Sequence, residues 1–231
     1  MPSGPLLLIF DLDGTLIDSR RDLADSANAM LASYGAPPMA EDAVVRMVGC
    51  GAATLVKRVI TAAGVNVPLE EALASFLSIY DRKLVDYTRP YDGVPVLLED
   101  LDRRGVAMSL LTNKPLAQSM KILEQFDLAR FFRDCVGGDG PFPRKPAPEA
   151  VKFLIGNASA DSDNVVLIGD SSVDLQTARN AGVQLCLAGY GFGFADIARD
   201  DIRPDDWIVE APADIARRID AAHGTMHGSI G

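Results

Sequence analysis

The sequence has little of what several common catalytic sites require. Only two of its 231 residues are histidines, and both, His223 and His227, stand in a glycine-containing C-terminal segment. A Ser-His-Asp triad and a histidine zinc site are therefore disfavoured. The cysteines are three in number and scattered, at Cys50, Cys135 and Cys186. This pattern favours free thiols over a disulfide framework or a cysteine zinc site.

Long apolar runs and an excess of positive charge are also missing. The first apolar run, residues 6–10, ends at Asp11, so we expect no signal peptide, no membrane partner and a cytoplasmic location. The 22 basic and 32 acidic residues give a net charge of −10, which is the wrong sign for binding nucleic acid through its phosphates. Any phosphate that the protein binds must be attracted locally, by a metal ion or by a few placed donors.

Short apolar runs alternate with helical patterns along most of the chain. The runs rich in Val, Ile and Leu are residues 6–10, 106–111, 165–168, 184–187 and 207–209, with one more short strand expected near Cys135 and Val136. The helical patterns are residues 93–104, 115–126, 148–155 and 173–181. This alternation predicts an α/β fold with a doubly wound, mostly parallel sheet.

Residues 19–89 break the alternation, because they show helical patterns interrupted by glycine and proline and no convincing strand. We predict a small helical domain inserted after the first strand, called the helical insert below. Residues 19–22 (SRRD) predict a capping box at the start of its first helix. The expected organisation is a core of residues 1–18 and 90–222, the helical insert of residues 19–89, and a disordered tail of residues 223–231.

Polar residues follow three of the predicted strands. They are Asp11 and Asp13 after the first strand, Thr112 and Asn113 after the second, and Asp170 after the third, with Asp174 one turn into the next helix. If the three strands are neighbours, these side chains converge at the ligand crevice of the sheet. The paired acids Asp11 and Asp13 could then act as nucleophile and as general acid and base without a histidine. A solvated turn is the alternative for this pair taken alone.

The acids at residues 170 and 174 predict a metal site. Carboxylates that converge without a cation repel one another, and oxygen ligands around a phosphate favour Mg²⁺. Asp174 could instead be a first-turn acid stabilised by the helix dipole.

Three further residues are candidates for holding a phosphoryl group. Lys145 lies in a proline-restricted loop, which suits a fixed anion clamp, although a lone lysine is commonly a solvated charge. Thr112 and Asn113 could donate to phosphoryl oxygens or cap the helix that follows Pro115.

Four segments, in this order, resemble the four motifs of the haloacid dehalogenase superfamily. They are residues 11–19 (DLDGTLIDS), 111–114 (LTNK), 144–149 (RKPAPE) and 168–174 (IGDSSVD). The predicted insert is similar to the cap of the phosphatase-type members, and the fold implied is a Rossmann-like core. Residues 137–139 (GGD), 174–178 (DLQTA) and 189–193 (GYGFG) resemble the bacterial phosphoglycolate phosphatases of this superfamily.

The resemblance implies a Mg²⁺-dependent hydrolase of a small phosphorylated metabolite, with 2-phosphoglycolate as the first candidate. Asp11 would form an aspartyl-phosphate, and Asp13 would protonate the leaving alcohol and then activate water. Mg²⁺ would bind Asp11, the backbone carbonyl of Asp13 and Asp170, with Asp174 supporting the metal or its waters. The substrate-binding residues that the resemblance implies are Thr112, Asn113 and Lys145.

Single residues distinguish the other activities found in this superfamily. Dehalogenases and phosphonate hydrolases of the superfamily lack the acid two places after the nucleophile, which is present here as Asp13. Sugar-phosphate mutases use a cap histidine, and residues 19–89 contain none. A pyrophosphatase or sugar-phosphate phosphatase of the same family stays open, and so does a non-catalytic phosphate-binding module. The substrate-selecting candidates in the insert are residues 49–51, Arg46 and Lys57, and the sequence leaves the oligomeric state open.

Overall fold

The computed structural model describes residues 6–223, and its centre is a six-stranded parallel sheet. The strands of the described chain are β1 (Leu7–Phe10), β2 (Ile17–Asp18), β3 (Arg89–Pro90), β4 (Ala107–Leu111), β5 (Asp134–Val136), β6 (Val165–Gly169), β7 (Gln184–Ala188) and β8 (Trp207–Val209). The large sheet has the spatial order β5-β4-β1-β6-β7-β8. Strand order reverses beside β1, which confirms the predicted doubly wound α/β fold.

The register of the central strands brings their carboxyl ends to one edge of the sheet. Phe10, the last residue of β1, lies opposite Leu110 in β4 and Ile168 in β6. The residues that follow these three strands therefore start from the same edge. Because β1 has a strand on each side, all four of its residues are buried, as its unbroken apolar sequence predicts.

Helices cover both faces of the sheet. The helices of the described chain are α1 (Arg20–Ser33), α2 (Glu41–Val45), α3 (Ala52–Ala62), α4 (Leu69–Lys83), α5 (Val94–Arg103), α6 (Leu116–Gln125), α7 (Glu149–Ala158), α8 (Ser172–Ala181) and α9 (Ala213–His223). Along β1, Leu8 and Phe10 belong to one apolar cluster, and Leu7 and Ile9 belong to the other. The period of two along the strand thus divides the core into two layers. Each fully buried side chain of this size contributes about 1.5–3 kcal/mol.

The helices α1–α4 lie between β2 and β3, inside the range predicted for the helical insert. β2 pairs with β3 in antiparallel fashion, with Asp18 opposite Arg89, so the chain enters and leaves this segment at adjacent positions. The boundaries of core and insert stay predictions. The predicted tail lies outside the described residues except for His223, which ends α9. Among residues 6–223, no helix has both the length and the apolar character that crossing a membrane requires.

The capping box predicted at the start of α1 is wrong. Ser19 is the N-cap residue but makes no side-chain cap bond, and its Oγ donates to Oδ1 of Asp13 at 2.5 Å. The buried Asp22 carboxylate accepts from the backbone N–H of Tyr87 at 3.0 Å and from the backbone N–H and hydroxyl of Thr88, both at 2.7 Å. Both side chains are engaged by distant donors and acceptors that the local pattern does not reveal, and Asp22 ties α1 to the segment after α4.

Candidate active site

Three buried carboxylates meet at the carboxyl edge of the sheet. Asp11 directly follows β1, Asp170 follows β6, and Asp174 lies in the first turn of α8. One oxygen of each lies within 4.8 Å of the others. The sheet register causes this convergence, since β1 and β6 are hydrogen-bonded neighbours that end at the same level. The structure therefore brings together three of the four acids that the sequence singled out.

Glycines leave the space that the Asp170 carboxylate occupies. A Cβ on Gly14, which has φ of +87°, would stand 2.0 Å from Oδ2 of Asp170, and a Cβ on Gly191 would stand 2.3 Å from the Cβ of Asp170. The backbone N–H of Gly193 donates to Oδ2 of Asp170 at 2.7 Å. Residues 191 and 193 belong to the segment that the sequence offered only as a resemblance, and the close approach gives it a physical role.

Lys145 bridges two of the carboxylates. Its Nζ lies 2.8 Å from Oδ1 of Asp11 and 2.6 Å from Oδ1 of Asp174, and the residue is 6% exposed. Burial makes an unpaired ammonium costly, so these two contacts hold Lys145 in one position. The predicted anion clamp thus faces the predicted nucleophile.

Asn113 fixes the loop that carries Lys145. Its Oδ1 accepts from the backbone N–H of Lys145 at 2.9 Å, and its Nδ2 donates to the carbonyl oxygens of Lys145 at 3.0 Å and of Gly49 at 2.9 Å. Both amide hydrogens are thereby engaged, so a direct bond from this side chain to a phosphoryl oxygen would require one of them to open. Asn113 is therefore a positioning residue for Lys145 in this arrangement.

Neither Thr112 nor Asn113 caps α6, the alternative that the sequence left open. Oγ1 of Thr112 accepts from the backbone N–H of Lys114 at 3.2 Å. The start of α6 is satisfied from another loop, because Oδ1 of Asp139 accepts from the backbone N–H of Leu116 at 2.8 Å. Thr112 is buried at the strand end, where the predicted phosphoryl site lies.

Asp174 takes part both in the start of α8 and in the carboxylate cluster, while its support of a metal stays a prediction. Its Oδ2 accepts from the backbone N–H of Ser171 at 3.1 Å, and its own backbone N–H donates to Oγ of Ser171 at 3.3 Å, which forms a capping box at the start of α8. Its Oδ2 also accepts from the Ser171 hydroxyl at 2.5 Å. Its Oδ1 meanwhile accepts from Lys145 at 2.6 Å. The two oxygens of Asp174 thus connect the start of α8 with Lys145 and the carboxylate cluster.

The electrostatics of the cluster favour a bound cation. Burial raises the pKa of Asp11 to about 7, with Lys145 opposing this shift and Asp174 adding to it. Burial, followed by the charges of Asp174 and Asp11, raises the pKa of Asp170 as well. Three carboxylates beside one ammonium leave excess negative charge in a buried site. Oxygen donors in this arrangement fit Mg²⁺, which takes carboxylates and waters as ligands.

The Asp13 carboxylate is not one of the three acids of the buried cluster and has donors of its own. Its two oxygens accept from Nζ of Lys114 at 2.9 and 3.0 Å, and Oδ1 also accepts from Ser19. The resemblance assigned only the backbone carbonyl of Asp13 to the metal, and that assignment stays a prediction. The Asp13 carboxylate lies beside the cavity described below.

Lys114 and Tyr80 are buried residues of this site to which the sequence assigned no role. Lys114 is 6% exposed, and its Nζ also donates to the hydroxyl oxygen of Tyr80 at 2.5 Å. A lysine directly after the polar pair at a strand end was the available signal. Tyr80, in α4, has no local signal, because its place at the site depends on how the insert packs.

A cavity of about 250 Å³ lies between the sheet edge and the insert. Its lining includes Asp11, Asp13 and Lys114 from the core, and Arg46 and residues 49–51 from the insert. The candidate Lys57 does not line it but lies on a separate shallow groove, whereas Arg58 lines both the groove and the cavity. Consecutive residues of a helix point about 100° apart, so one position decides which of the two faces the cavity.

Comparisons with known proteins agree with this geometry. Residues 8–188 match the family model described as haloacid dehalogenase-like hydrolase. A phosphoglycolate phosphatase of Pseudomonas syringae pv. syringae is 40% identical over 193 residues, covering 81% of this chain and 71% of that protein. One of Agrobacterium fabrum is 33% identical over 222 residues, covering 92% and 94%. The crystal structure of a predicted phosphoglycolate phosphatase from Haemophilus somnus 129pt superimposes with a TM-score of 0.87 at 29% identity, covering 94% of this chain and 98% of that one.

Proposed function

This chain belongs to the haloacid dehalogenase-like hydrolase family, and from that premise we propose that it hydrolyses a small phosphate monoester, with 2-phosphoglycolate as its substrate. The observation that carries the proposal is the buried contact of Lys145 with Asp11, beside the carboxylates of Asp170 and Asp174. A nucleophile, an anion clamp and a set of metal ligands then stand within reach of one phosphoryl group. The similarity to phosphoglycolate phosphatases supports the choice of substrate.

In the first half of the proposed reaction, a carboxylate oxygen of Asp11 attacks phosphorus. The bond between phosphorus and the alcohol oxygen of the substrate breaks, and Asp13 gives its proton to that oxygen. The alcohol leaves neutral, and an aspartyl-phosphate stays on Asp11. Lys145 lowers the repulsion between the carboxylate and the incoming phosphate, because its ammonium lies 2.8 Å from Asp11.

In the second half, Asp13 is a carboxylate and takes a proton from water. The oxygen of that water attacks phosphorus, and the bond from phosphorus to Asp11 breaks. Inorganic phosphate leaves, and both acids return to their starting forms. This division of labour needs no histidine, which fits a site built from aspartates and lysines.

The proposed Mg²⁺ ligands are the carboxylates of Asp11 and Asp170 and the backbone carbonyl of Asp13, with Asp174 supporting the metal or its waters. Bound Mg²⁺ would neutralise charge on the phosphoryl oxygens and align the phosphoryl group with Asp11. Asn113 fixes the position of the loop that carries Lys145 beside this site. Thr112 is proposed to donate to a phosphoryl oxygen from its buried position.

Release of inorganic phosphate tests the proposal. We expect turnover of 2-phosphoglycolate with Mg²⁺ and its loss with a chelator, together with a kcat/KM at least about tenfold above those for pyrophosphate and sugar phosphates. A higher kcat/KM for one of those substrates would change the assigned substrate but not the reaction. Absence of hydrolysis across a panel of monoesters, despite measurable phosphate binding, would leave a non-catalytic binding module.

Asp11→Asn tests the covalent step separately. We expect no turnover and no phosphoryl group bound covalently to the protein, because an amide is a poor nucleophile. Mass spectrometry of the rapidly quenched parent enzyme should show one added phosphate. A variant with a rate near that of the parent enzyme would exclude Asp11 as the nucleophile.

A further inference from the structure

Lys114 joins the helical insert to the predicted general acid and base. Its Nζ lies 2.9 and 3.0 Å from the two oxygens of Asp13 and 2.5 Å from the hydroxyl of Tyr80. The side chain of Lys114 is 4% exposed, so its ammonium has lost nearly all contact with bulk water. A buried ammonium is strongly held by the partners that it has, because leaving it unpaired is costly.

Each partner of Lys114 is itself held in place. Tyr80 is buried and its ring stacks on that of Phe76, with the centroids 5.7 Å apart and the planes at 14°. The carboxylate of Asp13 also accepts from the hydroxyl of Ser19 at 2.5 Å. Two donors on different segments therefore determine the rotation of this carboxylate, and one of them is tied to α4.

The three residues come from different parts of the fold. Tyr80 lies in α4 of the helical insert, Lys114 follows β4, and Asp13 follows β1. A movement of α4 away from the sheet edge would take the Tyr80 hydroxyl from Lys114. The lysine would then keep only Asp13 among these contacts and would be free to change its direction.

We propose that Lys114 is a positioning residue for Asp13 and that Tyr80 holds Lys114 in place, so that the orientation of the Asp13 carboxylate depends on where the insert sits. The proposal rests on the general acid and base role given to Asp13 above. Proton transfer to the leaving oxygen depends on the direction of that carboxylate.

The competing role for Lys114 is direct binding of the substrate, since it lines the cavity. A pair of substrates of the same shape separates the two roles. Phenyl phosphate needs its leaving oxygen protonated more than p-nitrophenyl phosphate does, because the nitro group stabilises the departing anion. A lost binding contact lowers kcat/KM for both substrates equally, whereas a misplaced general acid lowers it mainly for phenyl phosphate.

The test compares Lys114→Met and Tyr80→Phe with matched controls. Lys121→Met removes another lysine that joins the insert to the core, through Asp81 at 2.6 Å, but the side chains of this pair are exposed. Tyr91→Phe removes a buried hydroxyl that has no hydrogen-bond partner within the described chain. Both controls should keep the rates and the substrate ratio of the parent enzyme.

We expect Lys114→Met to lower kcat/KM about 10²-fold for phenyl phosphate and less than about tenfold for p-nitrophenyl phosphate. Tyr80→Phe, which keeps the stacked ring and removes only the hydroxyl, should lower the phenyl phosphate value roughly three- to tenfold, as expected for one hydrogen bond. If Lys114→Met does not fold, Tyr80→Phe alone still tests the proposal. Equal losses for the two substrates in both variants would overturn the proposal.

Crystal structures of the two variants test the inference independently of turnover. The Asp13 carboxylate should rotate or shift in Lys114→Met, and the Lys114 ammonium should shift in Tyr80→Phe, while both stay in place in the controls. An unmoved Asp13 in Lys114→Met would overturn the positioning role. If the parent enzyme hydrolyses no phosphate monoester, the proposed function fails, and these structures still decide whether Lys114 orients Asp13.

Discussion

Replacing Asp22 by alanine should destabilise the protein strongly, because this carboxylate satisfies three donors, two of them buried. It is 1% exposed and accepts from the backbone N–H groups of Tyr87 and Thr88 and from the Thr88 hydroxyl. The hydroxyl can turn to another acceptor, but the two backbone groups cannot. Each unsatisfied buried donor costs about 1–3 kcal/mol, and the partly buried N–H of Tyr87 costs less than the buried N–H of Thr88. The free energy of unfolding should therefore fall by about 2–4 kcal/mol.

The matched control is Asp25→Ala, one turn further along α1. Asp25 pairs with Arg21 at 3.7 Å, and its side chain is 43% exposed, so its loss should cost less than about 1 kcal/mol. Urea unfolding followed by circular dichroism and by the fluorescence of Trp207 measures both variants. In a domain of this size, the loss at Asp22 should lower Tm by roughly 4 °C or more.

A free energy of unfolding for Asp22→Ala within about 1 kcal/mol of that for Asp25→Ala would refute this reasoning. It would mean that water or a local shift satisfies the donors of Tyr87 and Thr88 once the carboxylate is gone. The connection between α1 and the segment after α4 would then contribute little to stability.

Three further outcomes are expected at the site. Asp13→Asn should lower kcat by about 10²–10⁴-fold while Mg²⁺ binding, measured by calorimetry, stays near that of the parent protein; a change below tenfold would contradict the assigned role. Gly191→Ala should displace Asp170, since the added Cβ would lie 2.3 Å from it, and should weaken Mg²⁺ binding. Gly156→Ala, which meets nothing within 4 Å, is its control, and equal Mg²⁺ affinity in the two variants would show that the site adapts. Without Mg²⁺, the free energy of unfolding should fall as pH rises from about 4 to about 7, because the raised pKa of Asp11 makes the native state bind more protons than the unfolded state. Urea unfolding should show this slope to be smaller in Asp11→Asn, and an equal slope in both proteins would assign it to other groups.

Local pattern was sufficient for the core of the fold. β8 begins and ends where its apolar run does, and α5 lies within one residue of its predicted limits at each end. Buried parallel strands carry unbroken apolar sequence, and α8 ends at Gly182 as predicted, so both signals are contained in neighbouring residues. α9 was not predicted, and α7 extends to Ala158 beyond its predicted end.

Local pattern failed where a side chain has a distant partner. Residues 19–22 have the spacing of a capping box, yet Ser19 bonds Asp13 and Asp22 bonds the segment after α4. Residues 171–174 form a capping box that the sequence did not single out. A short polar motif allows several hydrogen-bonding arrangements of similar free energy, and the tertiary neighbours select among them.

The sequence by itself determined the α/β alternation, the helical pattern of the insert and the acids that end the central strands. These features follow from side-chain periodicity and from the residue types at strand ends. Only the tertiary structure decided that Asp174 joins the carboxylate cluster, that Lys145 bridges it, and that Tyr80 reaches Lys114. Such contacts join residues that are far apart along the chain, and their distances depend on how strands register and helices pack rather than on any local pattern.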